Sequence, residues 1–115
     1  MKVLVTGNLG FVGNVLSENL LKEDNDVVGF DSDFYPQGFL GKINSNILQI
    51  KKDLRHISIN DLKGVDVICH LAGLSNDPLG EINPNLTYQI NQLATIKLAK
   101  LAKEAGVTRF IFSSS

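Results

Sequence analysis

Apolar positions along this chain fall into short unbroken runs separated by spaced, helix-like stripes. Lys2 to Thr6 holds the first run, Val3, Leu4 and Val5. An unbroken β-branched run of this kind predicts a strand buried on both faces. Phe11 to Lys22 follows, with Val12, Val15, Leu16 and Leu20 spaced to share one face of a helix. Val27 to Asp31 and Asn46 to Ile50 predict a second and a third strand, both of the buried type. Between them, Ser32 to Ser45 carries Pro36, Gly38 and Gly41 among aromatics and predicts a loop. A short helix around Ile59 to Lys63 should precede a fourth strand, Val65 to Leu71. Ala72 to Asn83, with Pro78 and two glycines, predicts another loop.

The clearest pattern runs from Pro84 to Ala105. Leu86, Ile90, Leu93, Ala94, Leu98, Leu101 and Ala105 recur at steps of three and four residues. Asn83 suits the N-cap, Pro84 the first helical position and Gly106 the C-terminal cap. Lys97, Lys100 and Lys103 sit late in the helix, where its dipole favours positive charge. Arg109 to Ser113 then predicts a fifth strand. Strands alternating with helices point to an α/β fold built on a doubly wound parallel sheet. A length of 115 residues suits one domain, and no repeat or interdomain linker interrupts it.

Composition narrows the function. Eleven Lys and Arg balance 12 Asp and Glu, with no basic stripe, so no nucleic-acid partner is expected. No apolar run is long enough for a membrane span or a signal peptide, and no membrane partner is expected either. Cys69 is the only cysteine, which excludes an intrachain disulfide and fits a reducing, cytoplasmic setting. Asn85, Leu86 and Thr87 match a glycosylation sequon, read here as chance because no export signal accompanies it.

The candidate chemistry begins where the first strand meets the first helix. Thr6, Gly7, Asn8, Leu9, Gly10, Phe11, Val12 and Gly13 form a loop with glycines at every third position. One glycine can make a tight turn, one can let backbone approach a pyrophosphate, and one can let the helix pack on the strand. Phosphates would then meet N–H groups at the positive end of the helix. The spacing is Gly-x-x-Gly-x-x-Gly rather than the general Gly-x-Gly-x-x-Gly, and an ordinary strand-to-helix turn is the competing explanation. Asp31, followed by Ser32, ends the second strand where an acid can reach the ribose hydroxyls of an adenosine. A carboxylate there repels a 2′-phosphate, which favours NAD over NADP. Asp31 and Asp33 could instead be solvated loop acids or metal ligands, but no His, Cys or acidic cluster completes a metal site, so none is expected.

Taken together, these segments resemble the extended short-chain dehydrogenase/reductases, in the branch of NAD-dependent nucleotide-sugar epimerases and dehydratases. The resemblance covers the whole chain. Thr6-Gly7-x-x-Gly10-Phe11-Val12-Gly13 is similar to the family's opening signature. Asp53-Leu54-Arg55 resembles the Asp-Leu pair that holds adenine, although Asp53 could simply cap a turn. His70-Leu71-Ala72-Gly73 resembles the segment where backbone passes the cofactor. His70 itself is assigned no chemistry. Asn91, one turn before Thr95, is similar to the central Asn-x-x-x-Thr segment. Phe112-Ser113-Ser114-Ser115 resembles the end of the fifth strand, where the last serine assists catalysis and contacts substrate.

The resemblance implies a Rossmann-type sheet, NAD as cofactor, a nucleotide-sugar substrate and a homodimer formed through the long helix, with Ile96 and Ala99 off its main apolar stripe. It also implies a Tyr-x-x-x-Lys pair. Here the fourth residue after Tyr35 is Phe39, and the fourth after Tyr88 is Gln92, so neither tyrosine makes it. The expectation is that residues 1–115 are the N-terminal part of an NAD-binding domain. The sheet is truncated after its fifth strand, whose edge is unpaired, and the catalytic pair and substrate region lie beyond the chain. On that reading the 115 residues alone are inactive. A dinucleotide-sensing module without turnover, or a purely structural domain of the same fold, stays open on the residues alone.

Overall fold

The computed structural model describes residues 1–31, 46–71 and 84–112, without the side chains of Phe11 and residues 84–91. Five parallel strands, β1 (Lys2–Thr6), β2 (Asp26–Asp31), β3 (Leu48–Lys51), β4 (Val67–His70) and β5 (Arg109–Phe112), pair in the order β3-β2-β1-β4-β5. Among the described residues two α-helices accompany them, α1 (Phe11–Lys22) and α2 (Pro84–Ala105). Each expected strand is found, with its ends moved by up to two residues.

Successive strand residues point to opposite faces, so each central strand feeds two cores. On the α1 face, Val3, Val5, Val27, Val67 and Cys69 are buried with Leu16, Leu20 and Leu21 packed against them. On the α2 face, Leu4, Val28, Phe30 and Ile68 meet Leu98 and Ala102 of α2 and Ile57, Leu62 and Val65. Each large apolar side chain buried this way contributes about 1.5–3 kcal/mol by leaving water. β1, β2 and β4 therefore behave as their unbroken apolar runs suggest. β3 does not: Leu48 is 65% exposed, because β3 is an outer strand bonded only to β2 among the described residues. β5 is the other outer strand, with Ile111 and Phe112 about half exposed.

α1 also departs from its apolar pattern. Val12 and Val15 face solvent, at 66% and 49% exposure, while the buried face runs through Gly13, Leu16, Ser17, Leu20 and Leu21. Those positions keep a proper helical spacing. The stripe is rotated because two of its members, Gly13 and Ser17, are small rather than apolar and let the helix lie close to the sheet. Ser17 satisfies its buried hydroxyl by donating to the Gly13 carbonyl at 2.7 Å.

α2 keeps both expected ends. It stops where Gly106 turns left-handed at φ 82, and the Val107 N–H returns to the Ala102 carbonyl at 3.0 Å. Its buried line is Ala94, Leu98 and Ala102; Leu93, expected on the stripe, is 67% exposed. Asn83 lies outside the described residues. The expected helix at Ile59–Lys63 is a 3-10 turn, Ile59–Leu62, and a second such turn, Leu54–His56, was not anticipated. Each turn is capped at its start by a carboxylate: Asp53 accepts from the Arg55 N–H, and Asp61 reaches back to the Ser58 N–H in a capping box.

Candidate functional site

β1, β2 and β4 end side by side, with Thr6 in register with Phe30 on one flank and His70 on the other. The strand order reverses between β1 and β4, so this carboxyl edge is where open α/β sheets bind ligands. Gly7 leaves β1 at φ 73, a conformation that favours glycine, and its N–H donates to the Phe30 carbonyl at 2.8 Å. The Gly10 N–H then donates to the Gly7 carbonyl at 3.1 Å, closing a tight turn.

Gly10 is the N-cap of α1 and has no side chain to cap it. The first-turn N–H groups of Phe11, Val12 and Gly13 have no acceptor within the helix, and they lie at its positive end. Gly13 supplies the close approach. A Cβ built there would fall on the Gly7 carbonyl oxygen and stand 2.8 Å from the Asn8 Cα. Strand end, loop and helix start are thus in backbone contact, and a bulkier residue at position 13 would force them apart.

Asp31 ends β2 beside this loop, only 7% exposed, and its Oδ2 accepts from the Leu9 N–H at 3.1 Å. The structure therefore brings Gly7, Asn8, Leu9, Gly10, Val12, Gly13 and Asp31 together at one end of the sheet. Leu71 joins them through its N–H, which donates to the Thr6 hydroxyl at 3.0 Å and lies 3.2 Å from the Thr6 carbonyl.

Asp53 and Leu54 follow β3. Arg55 engages both Asp53 oxygens: its backbone N–H and Nε reach Oδ1 at 2.9 and 3.0 Å, and Nη2 reaches Oδ2 at 2.7 Å. These bonds hold the Asp53 carboxyl below its ordinary range. The turn-capping role considered for Asp53 is present here. Asn91 stands one turn before Thr95 in α2, but its side chain is not among those described. Ser32, Ala72, Gly73, Ser113 and Ser115 lie outside the described residues.

The partners in two hydrogen-bonded arrangements at this edge escaped the sequence. His70 is 1% exposed and bridges two elements, with Nδ1 2.7 Å from the Thr6 hydroxyl and Nε2 2.9 Å from the Thr95 hydroxyl. Burial pushes its imidazole down to about 4, so the ring is neutral at pH 7 and shares hydrogen bonds rather than charge. His70 is thus a satisfied strand-end residue, as its lack of assigned chemistry anticipated. Asn8 is likewise buried and pairs reciprocally with Gln49 of β3: Asn8 Nδ2 donates to Gln49 Oε1 at 2.7 Å, and Gln49 Nε2 donates to Asn8 Oδ1 at 3.0 Å. Gly29, in the middle of β2, was the available signal, since a strand glycine marks close approach by another group.

Among the described residues no group of three or more His, Cys, Asp or Glu could hold a metal ion, and no helix is long and apolar enough to cross a membrane.

The chain resembles proteins whose chemistry is known or named. It is 34% identical over 128 residues to the uncharacterized UDP-glucose epimerase YtcB of Bacillus subtilis (strain 168), covering 100% of this chain and 40% of that protein. Its fold matches UDP-N-acetylglucosamine 4-epimerase from Methanobrevibacter ruminantium M1, solved in complex with UDP-N-acetylmuramic acid. The TM-score is 0.82 at 34% identity, over 99% of this chain and 37% of that one. UDP-glucose 4-epimerase from Bifidobacterium longum, solved with NAD+ and UDP, matches with a TM-score of 0.78 at 27% identity, over 100% of this chain and 37% of that one. The chain thus spans about 40% of the length of such relatives. Its sequence from residue 3 to residue 115 follows the pattern of one family throughout, and the chain belongs to the NAD dependent epimerase/dehydratase family.

Proposed function

We propose that this chain provides the NAD seat of an enzyme that epimerises or dehydrates a nucleotide sugar. The observation that carries the reading is the bond from the Leu9 N–H to the Asp31 carboxylate at 3.1 Å. It puts an acid suited to ribose hydroxyls against a glycine loop suited to pyrophosphate, as one cradle for an adenine dinucleotide. The fit is supported by Gly13, where a Cβ would fill the contact between loop and helix.

In this reading residues 8–13 line the pyrophosphate, which the first-turn N–H groups of Phe11, Val12 and Gly13 hold, and Asp31, with Ser32, holds the ribose. Asp53 and Leu54 border the adenine. Leu71, Ala72 and Gly73 pass along the cofactor, and Asn91 and Ser113 lie near its nicotinamide end. Bound NAD would supply the redox chemistry, hydride transfer at a sugar carbon. The protein's own work is to orient the cofactor and shield it from water. Ser115 assists a tyrosine whose pKa a lysine lowers, both contributed by chain beyond residue 115. The domain is the N-terminal part of a longer cytoplasmic protein that works as a homodimer, with the exposed Ile96 and Ala99 of α2 at the contact.

Calorimetric titration tests the binding reading directly. Stoichiometric binding of NAD, tighter than that of NADP, is expected. A folded protein that takes up neither dinucleotide at millimolar concentration would overturn it. Conversion of a UDP-sugar by the protein extended past residue 115, abolished by replacing the tyrosine of a Tyr-x-x-x-Lys pair, tests the catalytic part.

A further inference from the structure

The Asn8–Gln49 pair is bound into the site more tightly than a surface contact would be. Gly29 and Gln49 are register partners on adjacent strands, so both occupy the α1 face of the sheet. Asn8 lies over that same spot. A Cβ on Gly29 would fall on the Asn8 amide and stand 2.6 Å from Gln49 Oε1. Three residues far apart in sequence are therefore mutually dependent. Glycine at 29 makes the space, Asn8 fills it, and Gln49 matches both polar atoms of the Asn8 amide.

The consequence concerns the loop. Asn8 sits between Gly7, whose N–H is bonded to Phe30, and Leu9, whose N–H is bonded to Asp31. Glycine-flanked backbone is otherwise the most freely moving kind, and ordering it on ligand binding weakens affinity. With its side-chain amide paired to Gln49 of β3, Asn8 holds the backbone on either side of it.

We infer that Gln49 is a positioning residue for the dinucleotide: it acts through Asn8 to hold the glycine loop in the shape that receives the pyrophosphate. The inference rests on the NAD reading above and adds to it a residue outside the loop. Replacing Gln49 removes two hydrogen bonds from the loop's only side-chain anchor to β3 among the described residues. The expected loss of NAD affinity is about tenfold, the order one net hydrogen bond is worth.

The test is a double-mutant cycle on NAD dissociation constants, measured by calorimetry on folded protein, with Gln49→Leu, Asn8→Gly and the pair of substitutions combined. Gln49→Leu should raise the dissociation constant about tenfold in the native background and leave it within about twofold in the Asn8→Gly background. Melting temperature is followed alongside, and Gln49→Met serves if the leucine variant does not fold. A variant that melts earlier yet binds NAD with native affinity would show a structural role alone and overturn the inference. Equal losses in both backgrounds would also overturn it, because Gln49 would then not act through Asn8. If the unsubstituted protein binds no NAD, the cofactor reading fails and the inference fails with it, an outcome distinct from either of the others.

Discussion

Gly13→Ala sets helix propensity against packing, and the two predict opposite signs. Inside a helix, alanine is better than glycine by up to about 1 kcal/mol, so propensity alone predicts stabilisation. The structure predicts the reverse. The new methyl would fall on the Gly7 carbonyl oxygen, with the Asn8 Cα at 2.8 Å and the Gly7 carbonyl carbon at 2.9 Å. All three are backbone atoms, so no rotamer change relieves the contact. To bring Asn8 Cα from 2.8 Å to ordinary contact near 3.4 Å, α1 and the loop must separate by more than half an ångström. Overpacking of this kind costs about 1–3 kcal/mol, and the backbone contacts put this case at the upper end. Net of propensity, the expected loss is about 2 kcal/mol, or roughly 8 °C in melting temperature for a domain of this size. Urea unfolding followed by circular dichroism measures it. Gly106→Ala is the control: it meets nothing within 4 Å and is strained only by its φ of +82, so it should lose about 1 kcal/mol and leave NAD binding alone. Gly13→Ala should also weaken NAD by tenfold or more, because the loop that moves is the one proposed to hold pyrophosphate. A Gly13→Ala protein as stable as the native one, with native NAD affinity, would refute the packing argument and the cradle together.

Asp31→Ala should weaken NAD by about tenfold and NADP much less, read as the ratio of the two dissociation constants; equal losses would remove Asp31 from the ribose site. Stability should fall in two steps on acidification. Burial lowers His70 from 6.5 to about 4, so between those values the unfolded chain binds a proton that the folded ring refuses. Stability is then lost as pH falls through that window, by at most about 3 kcal/mol, and His70→Gln should flatten it. Asp61 belongs to the lower step. Burial alone would raise its carboxyl, but the Lys52 ammonium at 2.9 Å and the Ser58 N–H hold it below 3.8. Its contribution is present above 3.8 and lost as pH falls further, so Asp61→Asn should flatten only the region below about 4. Denaturant midpoints measured from pH 7 to 3 separate the two steps. Finally, Ile96→Glu should shift the protein toward monomer in sedimentation experiments, and an unchanged assembly state would remove α2 from the proposed dimer contact.

What could be read from the sequence, at both the fold and the site, was whatever the local backbone dictates. α2 was bounded correctly because Pro84 and Gly106 act within one turn of themselves, Gly106 by taking a φ of 82 that other residues resist. The glycine loop was legible for the same reason, since Gly7 and Gly13 answer to constraints set by their immediate neighbours. Where hydrophobicity had to stand in for packing, the reading slipped. It placed Val12 and Val15 on the inner face of α1 because it counted apolar residues, whereas the helix approaches the sheet through Gly13 and Ser17, which carry no apolar signal.

β3 slipped for a different reason. Its run resembles a buried strand, and only the strand order, which arises from pairing across the whole sheet, makes it an outer one. Gln49 was invisible on the same account. Its partner Asn8 is 41 residues away, and the contact exists only because Gln49 falls in register with Gly29. A glycine in the middle of β2 looks, in one dimension, like a weak strand residue. In three it is the space that lets the loop be tied to the sheet. Mid-strand glycines next to a glycine-rich turn are therefore worth reading as a request for a partner on the neighbouring strand.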